Sequence, residues 1–144
     1  MQTIDHTIEV LGSLLRGELS AVETYSQAIH KFPGSSARSQ LEEMRTEHLD
    51  SVEILRELIS ELGGDPPTDS GAWGTVAKTV EGVATVIGDS MAISALQQGE
   101  EHGIGEYEDA LADNGLNSEV KEVIRDQLLP PLRDHLHDLE SLSS

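Results

Sequence analysis

Apolar residues recur every three or four positions along four long stretches of this chain, the spacing of helices that each bury one face. In the first stretch, about Ile4 to Lys31, Leu11, Glu18 and Tyr25 form one row, flanked by Leu14, Leu15, Val22 and Ile29. The second, about Ser36 to Leu62, aligns Leu41, His48, Leu55 and Leu62, with Met44, Val52, Leu58 and Ile59 beside them. The third, about Ser90 to Asp113, aligns Ile93, Glu100 and Tyr107, next to Gln97, Ile104 and Leu111. The fourth, about Ser118 to Leu142, aligns Leu128, His135 and Leu142 with Ile124 and Leu139.

Glycine and proline punctuate this pattern. Phe32-Pro33-Gly34-Ser35 separates the first two helices, Gly63-Gly64 and Pro66-Pro67 end the second, and Asn114-Gly115 closes the third, whose start Asp89 is placed to cap. Pro130-Pro131 is expected to kink the fourth helix one turn before His135. Residues 63–89 turn to Gly, Pro, Thr and Ser around a short helical stretch, Trp73 to Val86, long enough to travel the length of a bundle. Helices of this size are each roughly 37 Å long. Two short links and one long one predict an all-α fold: a four-helix bundle of ferritin-like topology, with one crossover between helices 2 and 3, occupying 1–144 as a single domain.

Polar residues on the inner rows change the picture from a plain bundle to one with a candidate site. Glu18 and Tyr25 lie within GELSAVETYSQAI, and Glu100 and Tyr107 occupy the same places in GEEHGIGEYEDAL. Each half then supplies an inward histidine beside an acid, Glu47-His48 and Asp134-His135. Glu and Tyr seven residues apart are two helical turns apart, so both face the same interior line.

Composition narrows the chemistry. The chain has 144 residues and no cysteine, which excludes disulfides, thiolate catalysis and thiolate-bound metals. Its formal charge of -18 opposes nucleic-acid binding and favours cations. No apolar run reaches membrane-spanning length, and the opening MQTIDHTIEVLGSLL lacks the features of a signal peptide, so a cytoplasmic protein without a membrane partner is expected. No nucleophile triad, phosphate loop or dinucleotide fingerprint is present. Cages need outer surfaces not recognisable here, so a homodimer or another homo-oligomer is the expected assembly.

The order Glu, Tyr, core His, repeated once, resembles the di-iron carboxylate bundles of the ferritin, bacterioferritin and rubrerythrin type. Over nearly its whole length, including GELSAVETY, ELGGDPPTDSGAWG and GEEHG, the chain is similar to the bacterial family called domain of unknown function 2383. The resemblance implies terminal metal ligands at Glu18, His48, Glu100 and His135, with Tyr25 and Tyr107 as donors behind them. It also implies iron oxidation or storage, or protection against peroxide.

One departure is plain. The di-iron bundles carry Glu three residues before each ligand histidine, and this chain has Arg45 and Leu132 there. The remaining two-Glu, two-His set suits one borderline ion, Fe²⁺, Mn²⁺ or Zn²⁺. A dinuclear iron site requires extra carboxylates, for which Glu47, Glu101 and Asp134 are the weaker candidates. The competing reading is a non-catalytic structural or interaction bundle, in which Glu18 pairs with Arg45 and Glu100 with a protonated histidine, without metal. Whether the chain is an enzyme is left open. His6, His30, His102 and His137 are expected to face solvent, and Glu23 to lie on the outer side of the first helix.

Overall fold

The computed structural model describes residues 2–70 and 89–143. They form an all-α four-helix bundle. Helix α1 spans Gln2–Ile29, α2 Ser36–Glu61 and α3 Asp89–Ala112. The fourth helix is composite: α4, Ser118–Val123, continues through a π-helical stretch, Ile124–Leu128, into α5, Leu129–Ser143. The expected short helix from Trp73 to Val86 lies outside the described residues.

The helix ends follow from their local chemistry. Ser35 caps α2, its hydroxyl accepting the Arg38 amide at 3.1 Å. At the other end Gly63 takes the left-handed conformation (φ 86°), its amide bonds the Ser60 carbonyl, and the Gly64 amide bonds the Ile59 carbonyl at 2.9 Å. That is a Schellman motif. Gly64 has a packing role as well, because a Cβ there would lie 2.8 Å from Ile8 Cγ2 on α1.

The end of α3 differs from expectation. Gly115 does not adopt a positive φ; instead the Asp113 carboxylate accepts the Gly115 amide at 2.8 Å. Its other oxygen meets His6 Nε2 at 2.6 Å, fastening this turn to the start of α1. Asn117 then caps α4 by accepting the Glu119 amide.

The irregularity expected at Pro130-Pro131 falls in the turn before them. Two prolines cannot supply the amides that the Asp126 and Gln127 carbonyls would receive in a continuous α-helix. The backbone widens accordingly, and the Leu129 amide reaches back to the Ile124 carbonyl. Both prolines sit in the first turn of α5, where missing amides are tolerated. The extra residue also sets the register that buries Leu128, Leu129, Leu132, His135 and Leu139 together.

Two apolar clusters fill the core. One holds Leu11, Leu15, Val52, Leu55, Tyr107 and Leu132; the other holds Tyr25, Leu41, Met44, Leu96 and Leu139. Along the chain α1 passes from the first cluster to the second, α2 and α3 both return from second to first, and the composite helix passes from first to second. Helices α2 and α3 therefore run in the same direction, with the end of α2 and the start of α3 at opposite ends of the bundle. Packed neighbours (α1 with α2, α3 with α5, α1 with α3, α2 with α5) are antiparallel.

Candidate metal centre

Glu18, His48, Glu100 and His135 interrupt the apolar rows at one level, the boundary between the two clusters. Each is at most 3% exposed. On α1 the acid falls between Leu15 and Tyr25, on α2 the histidine falls between Met44 and Val52, and the other two helices repeat the arrangement.

The four side chains form one alternating chain of carboxylates and imidazoles. Glu18 Oε1 lies 2.5 Å from His48 Nδ1, and His48 Nε2 lies 2.7 Å from Glu100 Oε1. His135 Nδ1 is 3.2 Å from that same Glu100 oxygen, and His135 Nε2 reaches Glu47 Oε1 at 2.7 Å. The imidazole centroids are 4.9 Å apart. The tyrosines cross between the halves: Tyr25 donates to Glu100 at 2.7 Å and Tyr107 to Glu18 at 2.5 Å.

Electrostatics follows from these contacts. Burial works to lower the His48 pKa, but the Glu100 and Glu18 carboxylates outweigh it and hold it at about 10. Burial likewise works to raise the Glu100 pKa, and His48 with His135 overcomes it, bringing the carboxyl down to about 2. For His135, burial opposes protonation, and the bonds to Glu100 and Glu47 win in spite of repulsion from His48, so its pKa is raised. Both tyrosines are pushed well above their ordinary value, by burial first and then by the carboxylates they serve. They are neutral donors at physiological pH.

Glu100 Oε2, by contrast, is buried and accepts no hydrogen bond among the described residues. A buried carboxylate oxygen without a partner is costly, and coordination of a cation is one way to satisfy it. His48, Glu100 and His135 can each offer a ligand atom within 4.8 Å of the others. The donors present, two imidazoles and a carboxylate with Glu18 adjoining, suit a borderline dication.

Of the weaker candidates, Glu47 joins the site from the bundle edge, with its side chain 49% exposed. Glu101 and Asp134 are exposed. Arg45 turns away: its Nη1 donates to Ser26 at 3.2 Å, and it pairs with neither Glu18 nor Glu100. Leu132 is buried against Gly103, where a Cβ would lie 2.9 Å from Leu132 Cδ2. His6, His30, His102 and His137 are exposed, and Glu23 lies on the outer side of α1, accepting the Ser70 hydroxyl.

Sequence reasoning missed an acidic cleft of about 300 Å³ between α2 and α5, where Glu43, Glu47, Asp134, His137 and Asp138 face one another. The signal was available: Glu43 with Glu47, and Asp134 with Asp138, are like-charged pairs four residues apart, each aligned on one helix face.

A four-helix bundle with a buried carboxylate and imidazole layer is the class of protein these observations define. The family described as Domain of unknown function (DUF2383) matches residues 6–113, and the chain belongs to it. Glu18, Tyr25, His48, Glu100 and Tyr107 fall inside the matched span; His135 lies beyond it. No curated protein and no solved structure gives a significant match. Among the described residues, no helix is long and apolar enough to cross a membrane.

Proposed function

We propose that this chain is a ferritin-like metal-binding protein that holds a divalent ion, iron foremost and Mn²⁺ or Zn²⁺ as alternatives, between His48, Glu100 and His135, with Glu18 alongside. The observation that carries the reading is the partnerless, buried Oε2 of Glu100, a residue whose other oxygen meets both imidazoles. Charge agrees with it. Glu18, Glu47 and Glu100 bring three negative charges to one layer, and a dication offsets two of them where two imidazolium protons otherwise do so. The shared direction of α2 and α3 supports the ferritin-like assignment, since that topology requires a long crossover.

When bound, iron would supply one-electron chemistry toward an oxidant, the basis for iron oxidation, storage or peroxide protection. The chain's own residues do the rest. Tyr25 and Tyr107 fix the orientation of Glu100 and Glu18 by donating to them, leaving a ring nitrogen of each histidine aimed at Glu100. Glu47, at once on His135 and in the acidic cleft, links solvent to the buried set.

The competing reading is a structural bundle whose polar layer holds no metal. It is favoured by one observation: both ring nitrogens of both histidines already meet carboxylates. Elemental analysis of protein purified without added metal, followed by anaerobic Fe²⁺, Mn²⁺ and Zn²⁺ titration, separates the two. Stoichiometric binding that is lost in Glu100→Gln and His135→Ala supports the metal site. Absence of binding in the parent, with both variants less stable than it, leaves the structural bundle.

A further inference from the structure

Between α1 and α3 lies a cavity of about 60 Å³, partly open to solvent, with room for roughly four to six water-sized groups. Its wall is mixed. Most of it is apolar, with Leu14, Ala21, Ala95, Leu96 and Leu132 among its residues, while the polar part comprises acids, hydroxyls and the His48 ring. Ser13 and Gly99 are exposed and Glu106 is half-buried, so these three mark the rim.

The polar groups of the wall are largely acceptors. Tyr25 gives its one hydrogen to Glu100, Tyr107 gives its own to Glu18, and Thr24 donates to the Ser20 carbonyl, so each of these hydroxyls has only lone pairs left to offer. Both nitrogens of His48 are already taken by carboxylates. Ionised Glu18, Glu100 and Glu106 can only accept, and Glu100 Oε2 is buried with no partner among the described residues. No lysine or arginine lines the cavity among those residues.

A complementary ligand therefore brings donors and positive charge at one end and apolar surface at the other. We propose that this cavity binds a short primary alkylammonium ion, its ammonium hydrogens shared between Glu100 Oε2 and the neighbouring acceptors and its alkyl chain packed between α1 and α3. Other occupants match less of the wall. Water leaves the apolar part unused, a neutral alcohol gives one hydrogen where an ammonium gives three, and a bare ion makes no use of the leucines. The cleft between α2 and α5 is acidic too, so it draws cations in general without selecting for an alkyl chain. The inference does not rest on the metal-site reading. Because Glu100 Oε2 takes an ammonium hydrogen or a metal ion, the sample that tests it is metal-free protein.

The full chain with labelled methyl groups is titrated with n-propylammonium, 1-propanol and ammonium chloride at fixed ionic strength and followed by NMR. Propylammonium should shift the methyls of Leu14, Ala21 and Leu96 saturably, at concentrations at least tenfold below either control. Propanol acting at equal concentration would overturn the proposal by removing charge recognition, and ammonium doing so would reduce it to general attraction by a net charge of -18. Saturable shifts confined to the Met44 methyl would place the amine in the acidic cleft and overturn it as well. Gly99→Leu is the blocking variant, because a Cβ at Gly99 meets no atom within 4 Å and the longer side chain occupies the rim. It should abolish the shifts, and Glu106→Gln should weaken binding several-fold; unchanged binding in both would overturn the assignment. The comparison of the three probes on the parent protein decides even if Gly99→Leu fails to fold. Amine binding without metal binding would retain the pocket and remove the metal-site reading; metal binding without amine binding would do the reverse.

Discussion

Tyr25 and Glu100 belong to different halves of the internal repeat, yet the Tyr25 hydroxyl donates to Glu100 Oε1 at 2.7 Å, as Tyr107 donates to Glu18. The repeat is thus reciprocal: each half supplies the acid that the other half's tyrosine orients. The two bonds are unequal in consequence. Glu100 Oε1 also receives His48 and His135, whereas Glu18 Oε2 is met by Tyr107, with His48 on the other oxygen. We therefore expect Tyr107→Phe to destabilise the metal-free protein more than Tyr25→Phe, by about 1.5–3 kcal/mol for the former, as for loss of a hydrogen bond to a buried charge. Urea midpoints of the two variants test this. Equal losses would mean that the two acids are equivalently supported.

The His48 and Glu100 pair makes metal-free stability depend on pH at both ends. His48, raised from 6.5 to about 10, contributes fully below pH 6.5, and its contribution disappears as pH rises toward 10. Glu100, lowered from 4.5 to about 2, contributes fully above pH 4.5 and loses its share as pH falls toward 2. The pair's contribution should therefore be greatest between about pH 4.5 and 6.5 and decline on either side. Because a net charge of -18 imposes its own pH trend, the measurement is the difference from Glu100→Gln across the range. A difference that is flat from pH 5 to 9 would contradict the pairing.

Much of this was legible in the chain. The four rows, the short and long links and the convergence of Glu18, His48, Glu100 and His135 follow from a helical period that carries a polar residue on one row of every helix. Other features were not. The crosswise tyrosine bonds depend on axial stagger between helices, which periodicity does not encode. The π-helical turn arises because Pro130 and Pro131 remove two donors from a helix that packing keeps continuous, a balance in which tertiary contacts win over local breakage. The direction of Arg45 turns on Ser26, a residue with no marked signal.

The three glycines of α3 illustrate the same limit, since the sequence marks them alike and the structure separates them. A Cβ at Gly99 or Gly105 meets nothing within 4 Å, whereas at Gly103 it would lie 2.9 Å from Leu132 Cδ2. Gly99→Ala and Gly105→Ala should each raise stability, by up to about 1 kcal/mol from helix propensity. Gly103→Ala should gain less or nothing, because Leu132 must shift in a packed core. Thermal melts of the three variants check the order.

Arg45 offers the sharpest test of the metal reading. It stands three residues before His48, where the di-iron bundles place a bridging carboxylate, and its guanidinium reaches Ser26 instead of the acids. Arg45→Glu removes a positive charge from the edge of the site and adds a carboxylate one helical turn from His48. The new acid is half-buried at most, so the metal-free protein should tolerate it with a modest loss of stability. With metal, the expectation is tighter Fe²⁺ binding in anaerobic titration, and for both parent and variant an affinity that rises with pH. Ligation must displace protons from His48 and His135, whose pKa values are raised, so the slope should be about one order of magnitude per pH unit for each proton released. A variant that binds no more tightly than the parent would exclude position 45 from the ligand field. Binding with no pH dependence in either protein would place the ion away from the two histidines.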